Sequence, residues 1–223
     1  MAINIAPKSL DTELSELMKD IASGKIQLPE FQRSWTWDDG RIRGILASLS
    51  QGYPMGAIMC LECGNENVRF KCRPIEGTKD ITQNPDYLIL DGQQRLTSIF
   101  RTTYSNDVVI TKTDKGKEIK RFYYLDMKKC LDDNEDRYDA IIPVPEDKKV
   151  KTDFNRKILL DLSTKEFEYA SEMFPINLIF DSSAREDWAD GYKEYHEYSK
   201  EFMERYKQFR IKVIETITGY KLP

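Results

Sequence analysis

The chain has 223 residues, 40% hydrophobic and 32% charged, with a net charge of −4. That suits one large domain or two small ones with a real core, and it argues against a uniformly basic nucleic-acid binder while leaving room for a local basic patch. No apolar run approaches the roughly 20 residues that span a bilayer, and no basic-then-apolar signal opens the chain, so a cytoplasmic protein without a membrane partner is expected.

Residues 9–21 read as an amphipathic helix. Leu10, Leu14, Leu17, Met18 and Ile21 share one face, Ser9 or Asp11 can cap it, and Gly24 ends it. Pro29 then keeps Leu28 extended. Phe31, Gln32, Arg33, Trp35 and Trp37 crowd into one short stretch. Such a stretch is either core packing with a stacked guanidinium or the wall of a ligand pocket. Asp38 can cap a helix that carries Ile42, Ile45, Leu46 and Leu49. After the turn Gln51–Gly56, residues 57–61 and 68–72 read as strands joined through a Gly64-Asn65 hairpin. Residues 73–85 form a polar loop.

The run Tyr87–Leu90 has the length of a buried strand, and Asp91-Gly92 is a turn dipeptide. Leu96, Ile99 and Phe100 then mark an amphipathic helix. A strand that turns into a helix leaves free backbone N–H groups at the helix start, which favour anions. This start also carries Asp91, Gln93, Gln94 and Arg95, a set that no apolar core needs. Amides near Gly92, Gln93 and Gln94 suit phosphate oxygens, and Arg95 suits bidentate phosphate contact. Asp91 suits Mg²⁺, while Thr97 and Ser98 can add hydroxyl contacts. The competing reading is structural: Asp91 caps the helix and Arg95 pairs with a surface carboxylate.

Residues 108–111 and 119–125 read as strands around an exposed turn. The acidic run Asp132–Asp136 lacks the central Gly and final Glu of a calcium loop and reads as solvated charge. Residues 140–144 suit an edge strand, since Pro143 cannot donate to a ladder. Residues 145–151 read as exposed and mobile. Phe174–Phe180 is an apolar segment. From Ala184 to Gly219 a helical stripe follows: Trp188, Tyr192, Tyr195, Phe202, Tyr206, Phe209, Val213 and Ile217. It reads as one or two long helices of an accessory bundle, with Gly191 the interior weak point. Tyr220–Pro223 adds no closing element, so a fragment of a longer protein is expected.

There are four cysteines and one histidine, His196. Cys60 and Cys63 have CxxC spacing and Cys72 follows. Zinc is weighed against reduced thiols, and the thiols are preferred. With His196 alone, Ser–His or Cys–His catalysis finds little support. P-loop, Rossmann and zincin motifs are absent.

Taken together, Pro29-Glu-Phe-Gln-Arg33, Trp37, Gly52-Tyr-Pro-Met-Gly56 and Leu90-Asp-Gly-Gln-Gln-Arg-Leu-Thr97 resemble the DUF262 domain. This is the N-terminal domain of GmrSD-type modification-dependent restriction proteins and of SspE-like phage-defence proteins. Phe174-Pro and Tyr220-Lys-Leu-Pro223 look like further landmarks of that family. The resemblance implies an α+β fold of the ParB/sulfiredoxin-like kind: a small mixed sheet with helices in residues 1–150, extended by helices in 151–223. It implies NTP hydrolysis coupled to DNA restriction, with GTP, UTP or ATP as nucleotide and Mg²⁺ as metal. Asp91, Gln94 and Arg95 would be catalytic. Gln32, Arg33, Gly92, Gln93, Thr97 and Ser98 would bind nucleotide. The implied partners are modified DNA, a C-terminal HNH-type nuclease domain or subunit that this chain does not supply, and a possible second copy. A non-hydrolysing sensor of modified DNA or nucleotide is the alternative, and a ParB-like nuclease is a third reading.

Overall fold

The computed structural model describes residues 11–64, 70–152 and 157–222. The first strand, β1 (Thr12–Glu13), leads into helix α1 (Leu14–Ser23). Leu14, Leu17, Met18 and Ile21 are buried as the periodicity requires, and Gly24 ends the helix. The helix begins later than its pattern suggested. Glu13 stands at its start without a side-chain cap, because residues 12–13 are drawn into a strand instead. Ser9 and Leu10 lie outside the described residues.

Strand β2 (Ile26–Pro29) is wholly buried. Helix α2 (Asp39–Ser50) follows, and the Asp38 carboxylate accepts from the Arg41 N–H at 2.9 Å, the expected cap. Next come β3 (Met59–Glu62), β4 (Cys72–Arg73), β5 (Tyr87–Asp91) and α3 (Gln93–Thr103). These four strands after β1 form one mixed sheet in the order β3-β5-β2-β4. β2 and β5 are parallel, and the outer pairings are antiparallel.

The expected hairpin between the strands at 57–61 and 68–72 is not formed. β3 and β4 sit on opposite edges, each paired with a different central strand. The apolar run of β5 is buried at Leu88 and Ile89 and takes the interior position that β3 then covers. Alternation identifies a strand but not its neighbour. Residues 65–69, including Asn65, lie outside the described residues.

The second sheet is built on β7 (Glu118–Asp126), which pairs with β6 (Val109–Lys112) around the expected turn. Two short helices, α4 (Met127–Leu131) and α5 (Arg137–Ala140), flank the acidic run, whose residues are exposed as anticipated. β8 (Ile141–Pro145) pairs with β7 at the edge position that Pro143 suggested. Residues 149–152, expected to be mobile, form β9 (Lys149–Thr152), which pairs with β10 (Lys157–Asp161). An ion pair of Lys149 with Asp161 at 3.0 Å helps hold that ladder.

Helix α6 (Lys165–Ala170) precedes β11 (Met173–Pro175), which adds to β7, and a single 3₁₀ turn follows. The helical stripe resolves into α7 (Ser182–Tyr195) and α8 (Lys200–Phe209). α8 continues through a π turn into α9 (Glu215–Thr218). The expected weak point, Gly191, is a close packing contact: a Cβ there would lie 2.3 Å from Tyr169 Oη. The last residues do form a closing element. β12 (Lys221–Leu222) pairs antiparallel with β1, and Leu222 is buried.

The architecture is therefore mixed α+β. Among the described residues the larger of two hydrophobic clusters runs from Leu14 on α1 through Ile89 and Leu96 to Trp188, Phe209 and Ile217, and the smaller holds Tyr124, Val144, Leu162 and Met173. Trp188, Tyr192, Tyr206 and Phe209 are part of the larger cluster and Phe202 packs against it, as their spacing suggested, but Tyr195 of the same stripe is exposed.

Candidate functional site

Strand β5 delivers Asp91 to the edge of the sheet, and α3 starts two residues later. Gly92 makes the bend with φ +89°, a left-handed conformation that disfavours side chains, and a Cβ there would fall 2.2 Å from Ile58 Cδ1. The first N–H groups of α3, from Gln93 to Arg95, have no acceptor within the helix, as at any helix start. Gln32, Arg33, Trp37 and Leu90 join residues 91–95 around a cleft of about 320 Å³. The two sequence motifs thus meet in space.

Their meeting is built from amides. Gln93 Nε2 donates to Arg33 O at 2.9 Å. Gln94 Nε2 donates to Ser34 O at 3.2 Å, and Gln94 Oε1 accepts from the Thr36 N–H at 2.9 Å. Gln32 Nε2 reaches back to Leu90 O at 2.7 Å. Both α3 glutamines are buried. Their side chains act as a clamp on residues 33–36, a segment that lies outside any strand or helix.

Arg95 is equally committed. Its Nη1 donates to Met55 O, and its Nη2 to Ala57 O at 3.0 Å and to Asp91 Oδ2 at 3.2 Å. Gly56 makes room for it, since a Cβ there would meet Nη1 at 2.7 Å. The Asp91 side chain remains 72% exposed. Arg33 is exposed, and its guanidinium has no hydrogen-bond or ion-pair partner among the described residues. It is the cation at this cleft with donors to spare.

Thr97 and Ser98 are fully buried behind the cleft. Ser98 Oγ accepts from Trp35 Nε1 at 2.9 Å and donates to Gln94 O. Thr97 Oγ1 has no partner among the described residues. The structure therefore separates these two hydroxyls from the residues that line the cleft. Trp35 is partly buried beneath a guanidinium 4.5 Å from its ring centre, but this belongs to Arg101 and not to the neighbouring Arg33. Trp37 lines the cleft. Phe31 is exposed and packs edge-on against Phe70 at 5.4 Å.

Two supporting residues, Arg73 and Glu76, carried no mark in the sequence, and a third, Tyr220, only that of a family landmark. Arg73 donates to Gln32 O at 3.3 Å and to Arg33 O at 3.1 Å, and it pairs with Glu76 at 3.0 Å. Glu76 in turn accepts from the Trp35 N–H at 3.1 Å. Tyr220 Oη is bonded to the Tyr53–Met55 loop. The Arg73/Glu76 spacing sits in a polar loop where charge is commonplace, and no pattern sets it apart.

For a magnesium ion, the donor set at the cleft is one carboxylate, Asp91. That suits an ion shared with substrate phosphates and waters, which commonly takes one or two protein carboxylates. Among the described residues no group of three or more His, Cys, Asp or Glu side chains is placed to hold a metal, and Cys60, Cys63, Cys72 and Cys130 are free thiols.

An α+β domain with one composite cleft, assembled by a strand–turn–helix and a distant Gln-Arg segment, is the class that emerges. The chain belongs to the family of the GmrSD restriction endonuclease N-terminal domain, whose profile matches residues 14–222. An uncharacterized protein of Methanocaldococcus jannaschii is 27% identical over 222 residues, a match covering 96% of this chain and 35% of that protein. The chain thus spans about a third of the curated relative it matches. No helix among the described residues is long and apolar enough to cross a membrane.

Proposed function

We propose that the cleft binds a nucleoside triphosphate with Mg²⁺ and hydrolyses it, as the regulatory domain of a modification-dependent DNA restriction protein. The observation that carries this reading is the meeting of Arg33, with its unengaged guanidinium, and the α3 start at one concave surface. Anionic oxygens are stabilised by helix-start N–H groups and by guanidinium donors. Asp91 would hold the metal, which neutralises phosphate charge when bound. Arg33 would neutralise phosphate charge directly. Arg95 would do so from its seat on the 55–57 loop, and Gln93 and Gln94 would fix the wall that presents Arg33. GTP, UTP and ATP are all candidates.

The same reading gives the domain a ParB/sulfiredoxin-like fold. It divides the roles near residue 150, with the nucleotide part before it and a helical extension over 151–223. It places the protein in the cytoplasm, acting on modified DNA through an HNH-type nuclease domain or subunit, with a second copy as a further partner.

A second reading is a sensor that binds nucleotide or modified DNA without turnover. It is favoured by the Gln94 side chain, whose oxygen and nitrogen are both occupied by residues 34 and 36 and so are not free to orient water.

A panel of four nucleoside triphosphates with Mg²⁺, read for both binding and phosphate release, separates the two. Release that disappears in Asp91→Ala and Arg95→Ala, with both variants folded, is expected. Binding without release selects the sensor, and wild-type release in both variants would sink the hydrolysis reading. Gel shifts with modified and plain DNA over several salt concentrations then test the DNA partner.

A further inference from the structure

The Gly52–Gly56 loop is held from two sides. Arg95 grips it from the cleft through Met55 O and Ala57 O. On the far side, Tyr220 Oη accepts from the Met55 N–H at 3.0 Å and donates to Tyr53 O at 2.9 Å. Thr216 Cγ2, one turn earlier in the chain, stands 3.3 Å from where a Cβ on Gly52 would lie. Met55 therefore gives its N–H to Tyr220 and its C=O to Arg95. Tyr220 is itself fixed by its backbone: its carbonyl accepts from the Leu14 N–H at 2.8 Å, and the next two residues pair with Thr12 and Glu13.

From this chain of bonds we propose that Tyr220 is a positioning residue of the cleft, coupling nucleotide occupancy to the seating of β12 on β1. The ligand in this statement rests on the nucleotide reading above; the mechanical link between Tyr220 and Arg95 rests on the hydrogen bonds alone. If β12 shifts along β1, the Tyr220 hydroxyl leaves the loop, the loop loses its outer support, and Arg95 loses the acceptors that aim it beside Asp91. The link is reciprocal: whatever steadies Arg95 also steadies β12.

The test compares wild type, Tyr220→Phe, Arg95→Ala and the double variant of this 223-residue chain. Tyr220→Phe keeps the ring and removes the hydroxyl's bonds, worth roughly three- to tenfold in an equilibrium. Without nucleotide, the Arg95 side-chain N–H signal in a nitrogen-15 NMR spectrum should move in Tyr220→Phe, and the Leu222 amide, which faces β1, should exchange faster in Arg95→Ala. An unmoved Arg95 signal, or unchanged exchange in Arg95→Ala, overturns the coupling whether or not nucleotide binds. The exchange measurement also decides the matter if Tyr220→Phe does not fold.

With ATP, GTP, UTP or CTP and Mg²⁺, Kd should rise roughly three- to tenfold in Tyr220→Phe. It should rise no further when Tyr220→Phe is added to Arg95→Ala, and additive losses overturn the proposal. A wild type that binds none of the four nucleotides refutes the nucleotide reading, and with it the occupancy half of the proposal. The spectroscopic and exchange results still decide the link itself.

Discussion

Two regions of this molecule bury polar side chains, and they use them differently. At the cleft, Gln93, Gln94 and Arg95 bond largely to backbone carbonyls and amides of segments without regular structure, and Gln32 to Leu90 O of β5. The result is an open hollow with Arg33 at its wall. In the helical third, Glu168 takes bonds from Tyr124 and Trp188, both within 3.0 Å, and Glu172 takes bonds from Tyr192, Lys128 and Arg205. Those carboxylates are packed among aromatic rings, with Tyr169 and Phe174 against Trp188 at 5.2 and 5.0 Å. Saturated polar groups in a filled core fasten elements together. Polar groups that shape a loop around a space build a site. Buried polarity alone does not distinguish the two; the vacancy beside it does.

The sharpest break between the regions should come from Arg95→Ala. It is expected to lower nucleotide-dependent phosphate release by about a hundredfold, the scale of removing one preorganised donor to a charged transition state. Circular dichroism should show a folded protein. Equal loss of release on mutating the helical network would erase the distinction.

Glu172→Ala is expected to do the reverse. Removing the central carboxylate leaves the buried Tyr192 hydroxyl without its acceptor, while Arg205 keeps Glu201 and Lys128 is exposed. The loss should cost about 1–3 kcal/mol in urea unfolding. Nucleotide affinity below the transition should stay within about twofold.

Gly191→Ala sharpens the comparison through its sign. By helix propensity alone the change should stabilise by about 1 kcal/mol. The Tyr169 hydroxyl occupies the space that the methyl group needs. A destabilisation of about 1–3 kcal/mol is expected, as for overpacking, and a rise in melting temperature would contradict the packing described.

The smallest effect is one of pH. Burial works to raise the Glu172 carboxyl, but the bonds from Arg205, Lys128 and Tyr192 together outweigh it and leave it below its ordinary value. A carboxyl depressed in the folded state stabilises above its unfolded pKa and loses that contribution as pH falls through the folded pKa. Glu168 has the opposite sign. Burial raises it, against bonds from Tyr124, Lys148 and Trp188, so its protonation relieves the folded state as pH falls through the raised value. The Glu172 contribution to the melting temperature should therefore be lost as pH falls below the ordinary carboxylate value. Glu172→Gln should flatten that acid arm, whereas Glu168→Gln should flatten a weaker opposite trend at higher pH.

Much of this was legible in the sequence. The helix faces of Leu14–Ile21 and Ile42–Leu49, the Asp38 cap, the strand–turn–helix at 87–103 and the core role of Trp188, Tyr192 and Phe209 follow from local period and turn chemistry. The companionship of Gln32-Arg33 with Asp91–Arg95 came from motif resemblance, and the structure brings the two together. The pairing of β4 with β2 was hidden because strand partners are fixed by distant burial. The ladder at 149–161 was hidden because a run of lysines reads as solvated until an opposing aspartate is placed. The inward placement of Thr97 and Ser98 was hidden too: a helix start presents some residues to its own sheet, and hydroxyls fit either face.

The bond from Tyr220 to Met55 crosses 165 residues of chain. Closing a loop of that length costs chain entropy, so such a contact is a poor candidate for an early folding nucleus. The loop that seats Arg95 is therefore expected to gain this support only after the core has condensed. Weakening Tyr220 should speed the unfolding arm of a chevron and leave the folding arm where it was. The cleft would then be the first thing lost when the protein begins to come apart, long before its helices.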